Sequence, residues 1–163
     1  MKRILVVWHS RTGAARQMAG AAARGAESEP GTEVRLLAAD AAQAADLLAA
    51  DGYIFAAPEN LAALSGAMKE FFDRNYYAVL DQLNGRPYGL LIAAGSDGQN
   101  AVRQAQRIAT GWRLKAIAEP IVVGTHAQTP QAITAEKVVR ASDLRACEEL
   151  GAALAAGLSI GMF

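Results

Sequence analysis

Two hydroxyls, a guanidinium and a glycine stand together at Ser10, Arg11, Thr12 and Gly13, after the apolar run Ile4 to Trp8 and before an alanine-rich helical pattern. A strand that ends in such a turn and continues as a helix directs several unpaired backbone N–H groups and the positive helix end at one small volume. That volume suits a phosphate. Ser10 and Thr12 can each donate an O–H, and Gly13 lets the backbone approach without a side chain in the way. The blander alternative makes Thr12 a helix cap, Gly13 a tight turn and Arg11 a solvated surface cation.

Rival anion loops share this strand-turn-helix context and can be tested residue by residue. A mononucleotide loop needs G-x-x-x-x-G-K-[ST], and no Lys follows Gly13. A dinucleotide loop needs G-x-G-x-x-G, whereas this turn has one glycine. Ser10 to Arg16 has the spacing of a cysteine-phosphatase loop, but Ser10 cannot supply the thiolate. A phosphorylated receiver would place acidic residues where Trp8, His9, Ala56 and Ala57 stand.

The positioning elements follow from hydrophobic periodicity. Short apolar runs predict strands at Ile4–Trp8, Glu33–Ala38, Tyr53–Ala57 (ended by Pro58), Tyr88–Ala94 and Leu114–Val123, the last interrupted at Pro120. Between them, helical spacing places Ala15, Met18, Ala19 and Ala22 on one buried face, Met68, Phe71 and Phe72 on a second, and Val102, Ala105, Ile108 and Ala109 on a third. Asp40 with Gln43 resembles a capping box for a short helix through Leu48, Ser65 reads as the cap of the third helix, and Gly111 ends the fourth. Ser142 is placed as the cap of a final helix with Leu144, Cys147, Leu150, Leu154 and Leu158 inward, while Thr125–Ala141 shows no period. Five strands alternating with five helices predict an α/β fold, an open parallel sheet covered on both faces, in a single domain over residues 1–163.

In such sheets the ligand lies beyond the carboxyl ends of the strands, where the strand order reverses. Three polar turns fall there: Ser10–Ala15, Pro58–Ser65 and Gly95–Gly98. Asp97 also reads as a cap for the helix that follows it. Trp8 and His9 lie nearest the reversal, Trp8 as packing and His9 as pocket lining or strand-end filler. His126 reads as a loop residue, and Tyr76 and Tyr77 as exposed aromatics suited to a subunit contact.

Composition limits the functional classes. Sixteen basic residues balance sixteen acidic ones in 163, with no basic cluster, so nucleic-acid binding is not expected. The lone Cys147 has no disulfide partner and no ligands at metal spacing; on an apolar helix face it reads as core filler in a reducing compartment. The apolar run before His9 is too short for a signal peptide, and no stretch reaches the roughly 20 apolar residues of a membrane helix. A cytoplasmic protein is expected.

Ser10 Arg11 Thr12 Gly13 Ala14 Ala15 resembles the FMN-phosphate loop of the flavodoxin-like family, [ST]-x-T-G-x-[ST], with Ala15 where a last hydroxyl is usual. Ala57 Pro58 Glu59 Asn60 Leu61, with Ser65 Gly66 Ala67 Met68 Lys69 Glu70 Phe71 Phe72 Asp73 Arg74, is similar to a more specific segment of that family's NAD(P)H-dependent FMN and quinone reductases. Ala94 Gly95 Ser96 Asp97 Gly98 occupies the place of the third flavin loop. The resemblance implies a three-layer flavodoxin-like sandwich with sheet order 2-1-3-4-5. It implies FMN held by Ser10–Ala15, with Glu59–Leu61 edging the isoalloxazine near N5 and Gly95–Gly98 meeting its pyrimidine side. Because residues 58–65 and 95–98 carry no aromatic side chain, the flavin face is expected to stay open. The implied activity is hydride transfer from NAD(P)H through FMN to a quinone or similar small acceptor, with homodimers common in that branch. A one-electron carrier and a non-catalytic flavodoxin-like protein are the alternatives.

Overall fold

The computed structural model describes residues Met1 to Phe163. Strands β1 (Lys2–Trp8), β2 (Thr32–Ala38), β3 (Gly52–Asn60) and β5 (Pro87–Ala94) are parallel and ordered β2-β1-β3-β5. Beyond β5 the sheet ends in two short parallel pieces, β6 (Lys115–Ala116) and β7 (Ile121–Gly124), which pair with its beginning and end respectively. These are the halves of the expected fifth strand, separated around Pro120, where no N–H is available for a ladder. Merged, they give the expected 2-1-3-4-5 arrangement. One addition is the two-residue β4 (Ala63–Leu64), antiparallel to the end of β3.

Strand β3 continues past Pro58, where it was expected to stop. The β1–β3 ladder has already ended at Ala56, so Pro58 lies where β5 remains as its parallel neighbour, opposite Ala93. Its carbonyl accepts the Ser65 N–H at 3.1 Å, and the chain turns back as β4.

Successive side chains on the buried strands go to opposite faces, which sorts the core into two layers. Leu5, Val7, Tyr53, Phe55, Leu90 and Ile92 face α2 (Ala44–Ala49), α3 (Gly66–Val79) and α4 (Gln99–Gly111). Ile4, Val6, Ile54, Leu91 and Ala93 face α1 (Ala14–Glu27) and α6 (Ala141–Ser159). The first layer is filled by aromatics, with Phe71 and Phe72 packed against each other and each against both Phe55 and Trp112. The second is filled by alanines, so α1 and α6 approach closely: a Cβ on Gly25 would strike the Glu148 carbonyl, and one on Gly151 the Ala22 carbonyl. Cys147 is buried in this second layer, where burial, with the nearby Asp143 carboxylate, pushes its thiol pKa up to about 12.

Two helix starts differ from expectation. Gln43, not Asp40, precedes α2, and the Asp46 carboxylate accepts the Gln43 N–H at 2.9 Å. Ser142 lies inside α6, which begins after Arg140, and Asp143 supplies the acidic group of its first turn. At α2 a carboxylate three residues into the element supplies the cap bond; at α6 the Asp143 carboxylate accepts from the Arg140 side chain at 2.9 Å, and no side chain caps the backbone.

Candidate functional site

Strands β1 and β3 diverge in connection, one leading to β2 and the other to β5, and a cleft of about 650 Å³ opens beyond their carboxyl ends. Its first wall is the β1–α1 turn. Gly13 occupies the cap position of α1 with φ 97°, a conformation that a Cβ would strain, and its N–H donates to Ser10 Oγ at 3.0 Å. With its oxygen engaged there, the Ser10 hydroxyl keeps its proton for an outside acceptor. The N–H groups of Ala14, Ala15 and Arg16 find no acceptor within the chain, although Ala14 and Ala15 are buried.

No acidic residue lies in the first turn of α1. The contrast with α4 is direct: there the Glu59 carboxylate accepts the Ala101 N–H at 3.1 Å and the Asp97 carboxylate accepts the Gln99 N–H at 2.9 Å. One helix start is closed by the chain's own carboxylates, while the other faces the cleft with its N–H groups free. A bound anion would satisfy them.

The second wall is the tip of the β3–β4 hairpin, Pro58 to Ala62, and the third is Ala93 to Ser96 at the end of β5. Of the residues singled out in the sequence, Ser10, Arg11, Thr12, Ala14, Ala15, Pro58, Glu59, Asn60, Leu61, Gly95 and Ser96 line the cleft. Gly13, Asp97 and Gly98 do not. The open side of Gly13 faces the Glu136 carboxylate, Asp97 is turned to the α4 start, and a Cβ on Gly98 would press on Ala94, Val122 and Ile92. These three shape the loops from behind.

The fourth wall was not anticipated. Thr125, Ala127, Gln128, Ile133, Thr134 and Lys137 come from the segment without sequence periodicity, which carries the short helix α5 (Pro130–Thr134) across the cleft. Its fastenings are polar and long-range. Lys137 N–H donates to the Thr12 carbonyl at 2.7 Å, and the Gln17 side chain reaches the carbonyls of Gly13 and Lys137 while accepting the Val139 N–H. At the other end, Gln128 Nε2 donates to the Gly95 carbonyl at 2.8 Å. The Thr129–Pro130 pair was the available sequence signal, since Thr129 Oγ1 caps α5 by accepting the Ala132 N–H and proline suits the first helical position.

Arg11 lines the cleft as an exposed cation with no carboxylate at ion-pair distance, whereas the Lys137 ammonium is engaged by the carbonyls of Ile133 and Ala135. His9, at the end of β1, is hydrogen-bonded to Ser65; burial and then the Arg11 charge lower its pKa, against an opposing pull from Asp40. None of the residues lining the cleft is aromatic. A second hollow of about 460 Å³ lies under the same segment beside His126, Glu136, Arg140 and Asp143. Its charges are largely paired, Arg16 with Glu136 at 3.4 Å and Arg140 with Asp143 at 2.9 Å.

Residues 37–129 match the family described as NADPH-dependent FMN reductase. A flavodoxin of Aquifex aeolicus (strain VF5) is 45% identical over 73 residues, which is 45% of this chain, and the match spans only 40% of that relative's length. Among solved structures, an archaeal flavodoxin superposes with a TM-score of 0.78 at 18% identity, covering 96% of this chain and 99% of the other. The flavodoxin, WrbA-like protein from Agrobacterium tumefaciens also gives 0.78, at 21% identity over 98% and 99%. The two superpositions establish a shared flavodoxin-like fold.

Proposed function

The chain belongs to the NADPH-dependent FMN reductase family, and from that premise we propose that its cleft binds FMN and passes hydride from NAD(P)H through it to a quinone or similar small acceptor. The observation that carries this reading is the unfilled start of α1. Free N–H groups at Ala14 and Ala15, the hydroxyls of Ser10 and Thr12, and the unpaired Arg11 lie together at one end of the cleft, with the free Arg16 N–H behind them on the same turn. Together they form a donor set for a phosphate monoester dianion. Ala15 offers only its N–H where a family member's hydroxyl would add one bond more.

When bound, FMN supplies a ring that takes a hydride from one partner and returns it to another. The chain's part is to hold and expose that ring. The resemblance in the loops assigns the ring edge to the backbone at Glu59–Leu61 and to Gly95–Gly98, of which Gly95 and Ser96 line the cleft. With no aromatic side chain in the lining, none would stack on the ring, and a nicotinamide and an acceptor could use the same open face in turn. NAD(P)H leaves as NAD(P)⁺; a quinone receives the hydride, takes a proton from water, and leaves as the hydroquinone. A second copy of the chain is the proposed partner, with Tyr77, 83% exposed and its ring 5.2 Å from that of Tyr76, as the contact.

Two measurements test this. Mass analysis of the released cofactor should give FMN and no FAD, because the cleft offers one anion nest and no second glycine loop. Stopped-flow mixing with NAD(P)H should bleach the bound cofactor, and a quinone should restore the colour, with parallel-line steady-state kinetics. The flavodoxin relative supports a second reading, a one-electron carrier. That reading replaces the first if NAD(P)H leaves the cofactor oxidised while a one-electron donor reduces it in two separable steps.

A further inference from the structure

The β3–β4 hairpin turns on two residues, Leu61 and Ala62, between the paired Asn60 and Ala63. Both are left-handed, with φ 50° and 59°. Two-residue turns of this hand are normally built from Asn-Gly, because a Cβ, and above all a branched side chain, is strained there. Leu61 also has its entire side chain in solvent, with a relative exposure of 102%. The free protein therefore meets two costs at one residue, backbone strain and exposed apolar surface.

Neither cost is relieved locally, because α4 clamps the hairpin. Ala101 N–H donates to the Glu59 carboxylate at 3.1 Å, Leu64 N–H donates to Gln104 Oε1 at 2.7 Å, and Asn100 Nδ2 donates to the Ala62 carbonyl. Strain that surrounding contacts hold in place at a ligand cleft is the circumstance in which it carries function. Leu61 lines the cleft, and so does Ile133 of α5, itself half-exposed although α5 buries none of its residues. The phosphate end of the cleft is polar, with Ser10, Arg11 and Thr12; Leu61 and Ile133 are the two large aliphatic side chains of the lining, set among smaller and polar ones.

Resting on the proposed hydride transfer, we infer that the Leu61 side chain, with Ile133, selects the acceptor, favouring fused-ring apolar quinones over small charged oxidants. An isobutyl group offers no hydrogen bond and no charge, so what it recognises is apolar ring surface, and covering it recovers the exposure cost. A nicotinamide, carrying a polar amide and tethered to charged phosphates, has less to gain from that contact.

The test uses the FMN-loaded protein and the variants Leu61→Asn, Leu61→Met and Ile133→Ser. Asn tolerates the left-handed conformation and Met restores apolar reach. Equilibrium dialysis of the oxidised protein with 2-methyl-1,4-naphthoquinone, without NAD(P)H, should show Kd raised about tenfold in Leu61→Asn and several-fold in Ile133→Ser, and near wild type in Leu61→Met. In turnover, the kcat/KM ratio of naphthoquinone to ferricyanide should fall about tenfold in Leu61→Asn. Its melting temperature should equal or exceed that of the wild type. Equal naphthoquinone affinity in Leu61→Asn and wild type, or an unchanged acceptor ratio, overturns the inference. So does wild-type protein that fails to bind naphthoquinone, which would leave the exposed leucine to a macromolecular partner. Failure of NAD(P)H to reduce the cofactor would instead sink the reductase reading, and the dialysis result would still decide the case for Leu61.

Discussion

His9 and Ser65 are hydrogen-bonded across 56 residues of chain, Nδ1 to Oγ at 2.8 Å, which ties the end of β1 to the start of α3. Ser65 is buried and stands at the cap position of α3, yet its hydroxyl is spent on His9 and not on the helix. The bond braces the anion turn against the base of the hairpin.

The pH dependence follows from the environment of that histidine. Burial and the Arg11 charge lower its pKa below 6.5, outweighing Asp40. Between the depressed folded value and 6.5 the unfolded chain binds more protons than the folded one, so stability is full above about pH 6.5 and falls as pH drops through the folded pKa. Urea denaturation at pH 7.5 and 5.5 should show this loss in the wild type and a smaller one in His9→Gln. An NMR titration midpoint for His9 at or above 6.5 would contradict it.

Thr12→Val removes a hydroxyl from the anion turn while leaving the Thr12 carbonyl that holds Lys137 N–H. FMN affinity should weaken by about 1.5–3 kcal/mol, the worth of a hydrogen bond to a charged group, with little change in melting temperature. Flavin fluorescence quenching measures it. An unchanged Kd would make Thr12 structural only.

Gly151→Ala and Gly25→Ala should each destabilise the fold by about 2–3 kcal/mol or more, because the added methyl meets backbone of the facing helix, which cannot give way as a side chain can. Gly111→Ala, at the end of α4 with open space around it, is the control and should be neutral or slightly stabilising. Chemical denaturation separates the two classes.

Glu59→Ala should lower stability by about 0.5–2 kcal/mol, since it strips the α4 start of a carboxylate acceptor. Hydrogen exchange should quicken at Leu64 and Ala101 before it does in β1. Equal protection in variant and wild type would mean the hairpin is held by Asn100 and Gln104 alone.

Asn60→Trp places an aromatic ring in a cleft lined by none. Both half-reactions, reduction by NAD(P)H and reoxidation by quinone, should slow at least severalfold if they share one open face; an effect on only one of them would mean the partners bind at separate places.

The parallel strands, the helices that cover them and the strand-turn-helix step at Ser10–Ala15 were legible in the sequence because each rests on local pattern, whereas the order of the sheet came only with the family resemblance. Runs such as Ile4–Trp8 and Tyr88–Ala94 are apolar on both faces, as doubly covered strands must be, and the step from Ser10 to Ala15 writes strand, turn and helix within six residues. The division of β6 and β7 was marked by Pro120. Four features were not read from the sequence. Pro58 read as a terminator, but the strand passes through it because the β1–β3 ladder has already ended by then. Asp46 serves the α2 start that Asp40 was expected to serve, and α6 begins ahead of Ser142 with no side-chain cap. The residues from Thr125 to Arg140 show no amphipathic period because they fold over no face of their own; they are held by Gln17, Thr12 and Gly95, groups far away in the chain. The strained tip at Leu61 is the clearest case. Nothing in Asn60-Leu61-Ala62-Ala63 asks for a left-handed turn, and the β3–β4 pairing is held in one by three hydrogen bonds to α4, from residues some forty positions later.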